Sequence, residues 1–342
     1  MFHEGKHNIE RMNERIVDSS YDSLHHFISD SPWDHRLVLS AVRQDISKLF
    51  EERSGSIGLL IDESGHPKRG NDSVGVARQY LGSVGKIDNG QVGVFAALAQ
   101  NTEVAMVNAR LYLPQAWSKD KRRCAKVGVP KEEQKHLTKP QIALKMIKEM
   151  EGEIQYDWVG GDCIYGASPV LRKGIEEVGK SYVLDIREHK SVYLQDPCPY
   201  IPKRKSEVGR KNSSWVTDHK SVKLQEIYNS LQEQDWAEYC FRQGTKGPLK
   251  RRCHCREVFI WAKRRPTTEK AQKLRLIISE NLDGSEIKYS LFYQGENEKK
   301  KNISNKTLLY RQMHRYWVER AIQDCKDSLG MTEYQVRKWR AW

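Results

Sequence analysis

The chain lacks any apolar run approaching the ~20 residues that a membrane-spanning helix needs. Its first residues, MFHEGKHNIERMNERI, hold no apolar core of a secretory leader. A disulfide framework is missing too. The cysteines number seven, an odd count, and stand scattered at Cys124, Cys163, Cys198, Cys240, Cys253, Cys255 and Cys325. Paired Cys-x-x-Cys units are also absent. Cys253-His254-Cys255 with Cys240 therefore offers zinc no convincing fourth ligand, and zinc is a poor reading of these residues. No internal repeat interrupts the pattern. These absences point to a soluble, cytoplasmic protein with no membrane partner.

Positive charge is in surplus. Lys and Arg number 58 against 45 Asp and Glu, a formal net charge of +13. Such a surplus suits a polyanionic partner, because each neutralised phosphate releases condensed counterions. The plainer alternative is a charge that only keeps the protein soluble. At 342 residues the chain can bury one large core or two ordinary ones.

Residues 1–50 read as a helical segment. Ile9, Met12, Ile16 and Val17 recur at helical spacing, Leu24, Phe27 and Ile28 follow, and Ser31-Pro32 breaks the pattern. A second helix runs from about Asp34 to Phe50, with Leu37, Val38, Ala41, Val42, Ile46 and Leu49 along one side. Ile57–Ile61 predicts a buried strand, and the Gly-rich, basic stretch 65–90 predicts loops. Strands at 91–99 and 104–113 complete an antiparallel meander, and 114–137 is polar and irregular. Thr138 opens a helix with Pro140 in its first turn. A strand at 156–162, a helix near 169–178 and a strand at 182–186 continue an α/β pattern on a mixed sheet. Residues 191–304 read as a β-rich insertion. Prolines and Lys203-Arg-Lys205 lead into it, and a hairpin turns at Asp283-Gly284. Residues about 306–329 read as one long helix. Four segments result: 1–50 helical, 51–190 the first part of a core, 191–304 the insertion, and 305–342 the end of the core.

Hydrolysis of a phosphodiester without a covalent intermediate needs an activated water and a neutralised leaving oxygen. Two divalent ions ~3.5–4 Å apart do both, held by carboxylates from separate chain segments. Asp62 and Asp162 each end an apolar strand. Taken singly, each is as well explained as a turn or helix cap. On the 310–329 helix, Met313, Trp317, Ala321, Cys325 and Leu329 are spaced by four and suggest a core stripe. Arg315, Glu319 and Lys326 fall close together on another face. The alternative for these three is a solvated i,i+4 charge pair worth ~0.3–0.5 kcal/mol.

Longer stretches are more specific. LLIDESGHPKRGNDSVGVARQYLGSVGKIDNGQVGVFAALA (59–99), ARLYLPQAW (109–117), WVGGDCIYG (158–166) and RYWVERAIQDCKDSLGMTEYQVRKW (315–339), with SPWDHR (31–36) ahead of them, resemble the DDE transposases of insertion sequences. The resemblance implies an α/β, RNase H-like mixed sheet flanked by helices. A β-rich insertion would interrupt it between the second acid and the third, and a helical segment would precede it. It assigns catalysis and metal binding to Asp62, Asp162 and Glu319. It implies two Mg²⁺ ions, with Mn²⁺ as a substitute, Asp62 touching both and the other acids one each. The family signature Tyr-(2)-Arg-(3)-Glu-(6)-Lys matches at Arg315, Glu319 and Lys326, whereas Gln312 stands at the Tyr position and Tyr310 lies close by. Relatives usually run on past the position of Trp342, and little chain precedes the core for a separate end-binding domain.

Arg315 and Lys326 would then contact phosphates at the element's ends, with Lys68, Arg69, Arg78 and the Lys203–Lys205 run along the backbone. The partners implied are double-stranded DNA, both element ends and target, and a second copy of the chain in a homodimer on DNA. The reaction implied is hydrolysis at the ends followed by strand transfer. Trp215, Trp236 and Trp261 are better read as core than as a platform for an unpaired base. Two other readings stand beside this one: a truncated, non-catalytic DNA-binding remnant, and a plain RNase H-type nuclease, against which the insertion argues.

Overall fold

The computed structural model describes residues 8–203, 214–261, 270–334 and 336–342. The chain forms two compact units, one from Met1–Asp157 with Arg315–Trp342 and the other from Trp158–His314. These boundaries fall elsewhere than the four segments drawn from the sequence. Among the described residues no helix is long and apolar enough to cross a membrane.

The first unit opens with α1 (Ile9–Arg15), α2 (Tyr21–Ser29) and α3 (His35–Glu51). Asn8, Ser20 and Asp34 cap them by accepting backbone N–H groups. The side of α3 that carries Leu37, Val38, Val42 and Leu49 is exposed, and Arg43, Ser47 and Phe50 are buried instead. The neighbouring surface is polar, which explains the inversion. Arg43 Nε donates to the Val107 carbonyl at 2.9 Å, and its guanidinium pairs with Glu153 at 2.8 Å and lies 3.7 Å from Glu149. A guanidinium satisfies such groups where a leucine would strand them.

Four strands follow: β1 (Gly58–Pro67), β2 (Ala77–Leu81), β3 (Lys86–Gln100) and β4 (Glu103–Leu111). All pairings among them are antiparallel. β3 is central, with β1 along one edge and β2 and then β4 along the other. Half of the stretch 65–90, expected to be loops, is thus sheet. Its glycines permit close approach. A Cβ on Gly90 would lie 2.4 Å from the His66 carbonyl oxygen, and one on Gly65 would lie 2.8 Å from Leu81.

Residues 114–137, expected to be irregular, contain α4 (Gln115–Lys119) and α5 (Lys121–Lys126). Trp117, Cys124, Val127 and Val129 close a core cluster with Val74, Leu111 and Leu113. The helix predicted at Thr138 is α6 (Lys139–Glu149). It has a Thr138/Gln141 capping box and buries Ile142, Met146 and Ile147.

The second unit runs through β5 (Trp158–Gly161), α7 (Cys163–Gly166), α8 (Pro169–Glu177), β6 (Ser181–Asp185), β7 (Ser191–Val192), β8 (Val222–Lys223) and α9 (Leu224–Ser230). It continues with β9 (Ala237–Gly244), β10 (Gly247–Ile260), β11 (Gln272–Asn281), β12 (Ile287–Tyr293) and α10 (Asn305–His314). Its main sheet has the order β5-β6-β12-β11-β10-β9, parallel at β5–β6 and antiparallel elsewhere. The β-rich stretch therefore extends the sheet that β5 and β6 begin. Gly284, at φ +71°, turns the β11–β12 hairpin as Asp-Gly predicts.

The chain returns to the first unit in α11 (Tyr316–Ser328), which packs on β1, β3 and β4. The long helix expected over 306–329 is two helices, broken at Arg315, where the chain passes between units. Val318, Ala321 and Ile322 are the buried residues of α11, and Leu329 is exposed. A spacing of four cannot hold one face. Each step overshoots a full turn by about 40°, so the stripe drifts by about 160° from Met313 to Leu329.

The inversion of α3 has a direct check. Arg43→Ala should cost about 2–3 kcal/mol in chemical denaturation, by leaving Glu153 and the Val107 carbonyl without their partner. Leu49→Ala should stay within about 0.5 kcal/mol. A larger loss at Leu49 would restore the packing suggested by the sequence.

Candidate active site

Asp62 is in the middle of β1, opposite Phe95 of β3, and not at a strand end as the sequence suggested. β1 runs on because β3 is long enough to pair with its outer half. One Asp62 oxygen accepts from the Glu63 N–H at 2.8 Å. The other lies 3.7 Å from a terminal nitrogen of Arg315. That same nitrogen is 2.5 Å from Glu319 Oε1. Asp62 and Arg315 are largely buried, at 16% and 18% side-chain exposure, whereas Glu319 is 48% exposed. Arg315 directly precedes α11 and Glu319 is in its first turn, where the positive end of the helix favours a carboxylate.

Lys326, in the last turn of α11, is half-buried. Burial lowers its pKa, and the charges of Asp327 and Asp62 pull it back up. His66, on β1, is buried, with Nδ1 lacking a hydrogen-bond partner. Burial, and then the charges of Lys326 and Lys68, push its pKa down to about 4. Arg315, just ahead of α11, and Glu319 and Lys326 on it thus lie beside β1 within one unit.

Lys68 does not have the placement expected of a DNA contact. It is buried, donates to the Tyr334 carbonyl and has its ammonium 3.7 Å from the centre of the Tyr334 ring. Burial lowers its pKa to about 8. Tyr334 in turn donates to Gln91 at 3.1 Å and accepts from the Trp342 indole at 2.8 Å. Arg69 and Arg78 are exposed, as is Lys203, while Arg204 and Lys205 lie outside the described residues.

Asp162, in the second unit, directly follows β5 and caps α7, accepting from the Ile164 N–H at 2.8 Å. It thus ends a strand and caps a helix at once. α7 is seated tightly. A Cβ on Gly166 would lie 1.9 Å from the Asp185 carbonyl oxygen. Gln312, at the family's Tyr position, is buried and bridges two hydroxyls. It accepts from Ser279 at 2.6 Å and donates to Ser290 at 2.7 Å, and Ser290 donates to Asp185 at 2.5 Å. An amide suits this position because it both donates and accepts, and no periodicity in the sequence signals it.

Among the described residues no three His, Cys, Asp or Glu side chains are gathered to hold an ion. Strand alternation puts Cys253 and Cys255 together, with sulfurs 3.6 Å apart, whereas His254 Nδ1 lies 3.0 Å from the Asp235 carbonyl oxygen. Trp261 is buried, and Trp236 packs against Tyr228, His254 and Arg252.

Residues 1–248 match the family model described as DDE superfamily endonuclease, and the chain belongs to that family. The match includes Asp62 and Asp162, and Glu319 lies beyond it. The chain is also 31% identical over 176 residues to the "Probable transposase for insertion sequence element IS701" of Microchaete diplosiphon. That alignment covers 49% of this chain and 41% of the relative, so the chain spans less than half of the relative it matches.

His66 makes the first unit acid-sensitive. Its folded pKa is depressed, so between about 4 and 6.5 the unfolded chain binds the proton and the folded chain does not. Its stabilising contribution is present above the unfolded value and lost as pH falls toward 4, amounting to roughly 3 kcal/mol over that window. Urea unfolding at pH 7 and pH 5 should show this loss in the native sequence and a smaller one in His66→Gln. Equal losses in the two proteins would remove His66 as the cause.

Proposed function

We propose that the protein is the transposase of an insertion sequence, hydrolysing phosphodiesters at the element's ends and transferring the freed 3′ ends to target DNA. One observation carries the reading: Asp62 and Glu319 converge on a single cationic nitrogen, 3.7 Å from one and 2.5 Å from the other. Membership of the DDE endonucleases supports it, as does the name of the curated relative. DDE nucleases generally use divalent metals.

The donor set fits such ions. Hard carboxylate oxygens are the ligands that Mg²⁺ takes, and Arg315 already brings positive charge to the point where two of them meet. Asp62, Asp162 and Glu319 would hold two Mg²⁺ ions, with Mn²⁺ as a substitute. Bound there, the ions supply Lewis acidity to the scissile phosphate. The chain's own residues do the rest. β1 and α11 fix two carboxylates on packed elements, and the tight seat of Gly166 holds α7 behind Asp162. Arg315 and Lys326 meet phosphates at the reacting end, and exposed Arg69 and Arg78 track the backbone. The order β1, β3, β4, α6, β5, α8, β6 supports an RNase H-like core, with 191–304 as its insertion. Two ends cut together call for a homodimer on DNA.

A non-catalytic, DNA-binding remnant is the second reading, favoured by the lack of a gathered three-acid set among the described residues. One assay separates them. The protein and Asp162→Ala are incubated with Mg²⁺ and the DNA flanking the gene, and cuts are mapped by sequencing. Cuts at repeat boundaries that vanish in the variant are expected. Binding without cuts would establish the remnant, and Asp162-dependent cuts at random positions would establish a plain nuclease.

A further inference from the structure

Arg315 links Asp62 and Glu319 in a charge triad inside the first unit. The plainest account is a surface i,i+4 pair between Arg315 and Glu319, but it fits poorly. Arg315 is only 18% exposed, and the nitrogen that reaches Glu319 is the one nearest Asp62. The guanidinium therefore lies in the position that a shared cation would take. A divalent ion needs carboxylate oxygens at about 2.0–2.1 Å. Arg315, 2.5 Å from Glu319 Oε1, leaves no room for an ion bound to that oxygen on the side facing Asp62.

The backbone lets the side chain leave. Arg315 stands in the break between α10 and α11 as the N-cap of α11, and its side chain makes no capping hydrogen bond. Asp62 would not be abandoned to its own charge, because Lys326 lies close enough to interact with it electrostatically.

We propose that Arg315 is an intramolecular stand-in for the metal. It neutralises Asp62 and Glu319 until a divalent ion displaces it, and it then becomes available to a DNA phosphate. This rests on the metal-nuclease reading above and adds to it a competition and a coupling. The ion and Arg315 exclude one another, so metal binding is weakened by this side chain. The ion and DNA favour one another, because the ion frees the phosphate-binding cation. That coupling is reciprocal by linkage: DNA bearing a terminal phosphate should tighten the metal site as much as the metal tightens DNA.

The test is Mn²⁺ binding to the full chain without DNA, read as loss of the free-ion signal in electron paramagnetic resonance. Arg315→Met should bind Mn²⁺ more tightly than the native sequence, by on the order of tenfold. Arg315→Lys, which keeps the charge but reaches less far, should fall between them. Arg320→Met removes the same charge from an exposed pair with Asp324 on the same helix and should change nothing. Thermal melts identify any variant that fails to fold, and the Lys variant then carries the comparison. Fluorescence anisotropy with 5′-phosphorylated duplex should show Ca²⁺ raising DNA affinity in the native sequence and not in Arg315→Met. Equal Mn²⁺ affinity in the native and Met proteins overturns the inference and leaves the nuclease reading intact. The same gain in Arg320→Met overturns it as general electrostatics. Absence of Mn²⁺ binding from every variant overturns both.

Discussion

Carboxylates brought to one point repel, and the first unit is arranged around that cost. Two unit charges 4 Å apart interact with about 4 kcal/mol near a protein surface, enough to drive one carboxyl to take up a proton or swing away. Asp62 cannot swing far, since its backbone is locked mid-strand between neighbours in β1. Glu319 is fixed by the docking of α11 through Val318, Ala321 and Ile322. The repulsion is met by cations instead, with Arg315 between the two acids and Lys326 near Asp62. Beside this arrangement, burial first and then the charges of Lys326 and Lys68 keep the His66 imidazole neutral.

The C-terminal segment is bound into this arrangement by hydrogen bonds with few alternatives. The Val74 N–H donates to the Arg337 carbonyl and the Trp339 N–H to that of Val127. Trp339 and Trp342 pack on the cluster around Trp117 and Cys124. Lys68, which a reader of charge alone assigns to the DNA backbone, is the inner end of this strap. Buried cations are expensive unless matched, and the Tyr334 carbonyl and ring supply the match.

The sequence announced the elements whose apolar residues decide their own environment. β3, β4, β5 and β6 follow from short apolar runs, and α6 from its capping box and its proline. The Asp283-Gly284 turn was equally plain. It misled where a neighbour decides instead. Glycine in β1 and β3 reads as loop until close backbone approach is known, and α3 buries Arg43 only because carboxylates and a carbonyl await it. The site was divided in the same way. Asp162 is visible at a strand end, although its capping role is equally visible. Asp62 lies mid-strand, and Glu319 is half exposed on a charged helix face. The residues alone singled these two out but left a plainer alternative for each, and only their likeness to a known family decided between the two. Gln312 gave no signal at all, because its value lies in two serines distant in sequence.

One property of the fold bears on how the protein comes into being. The strand that carries Asp62 is among the first elements to leave the ribosome, while α11, which covers it, belongs to residues 315–342. Between them the whole second unit must be made and folded. Throughout that interval β1, β3 and β4 have no helix to cover the surface that α11 later buries, and Asp62 has no Arg315 beside it. A nascent chain that has already displayed most of its basic surface is therefore still an open half-structure. The convergence of acids and guanidinium is delayed until translation has passed the last helix, so a chain broken off before Arg315 carries Asp62 without the partners that complete its site.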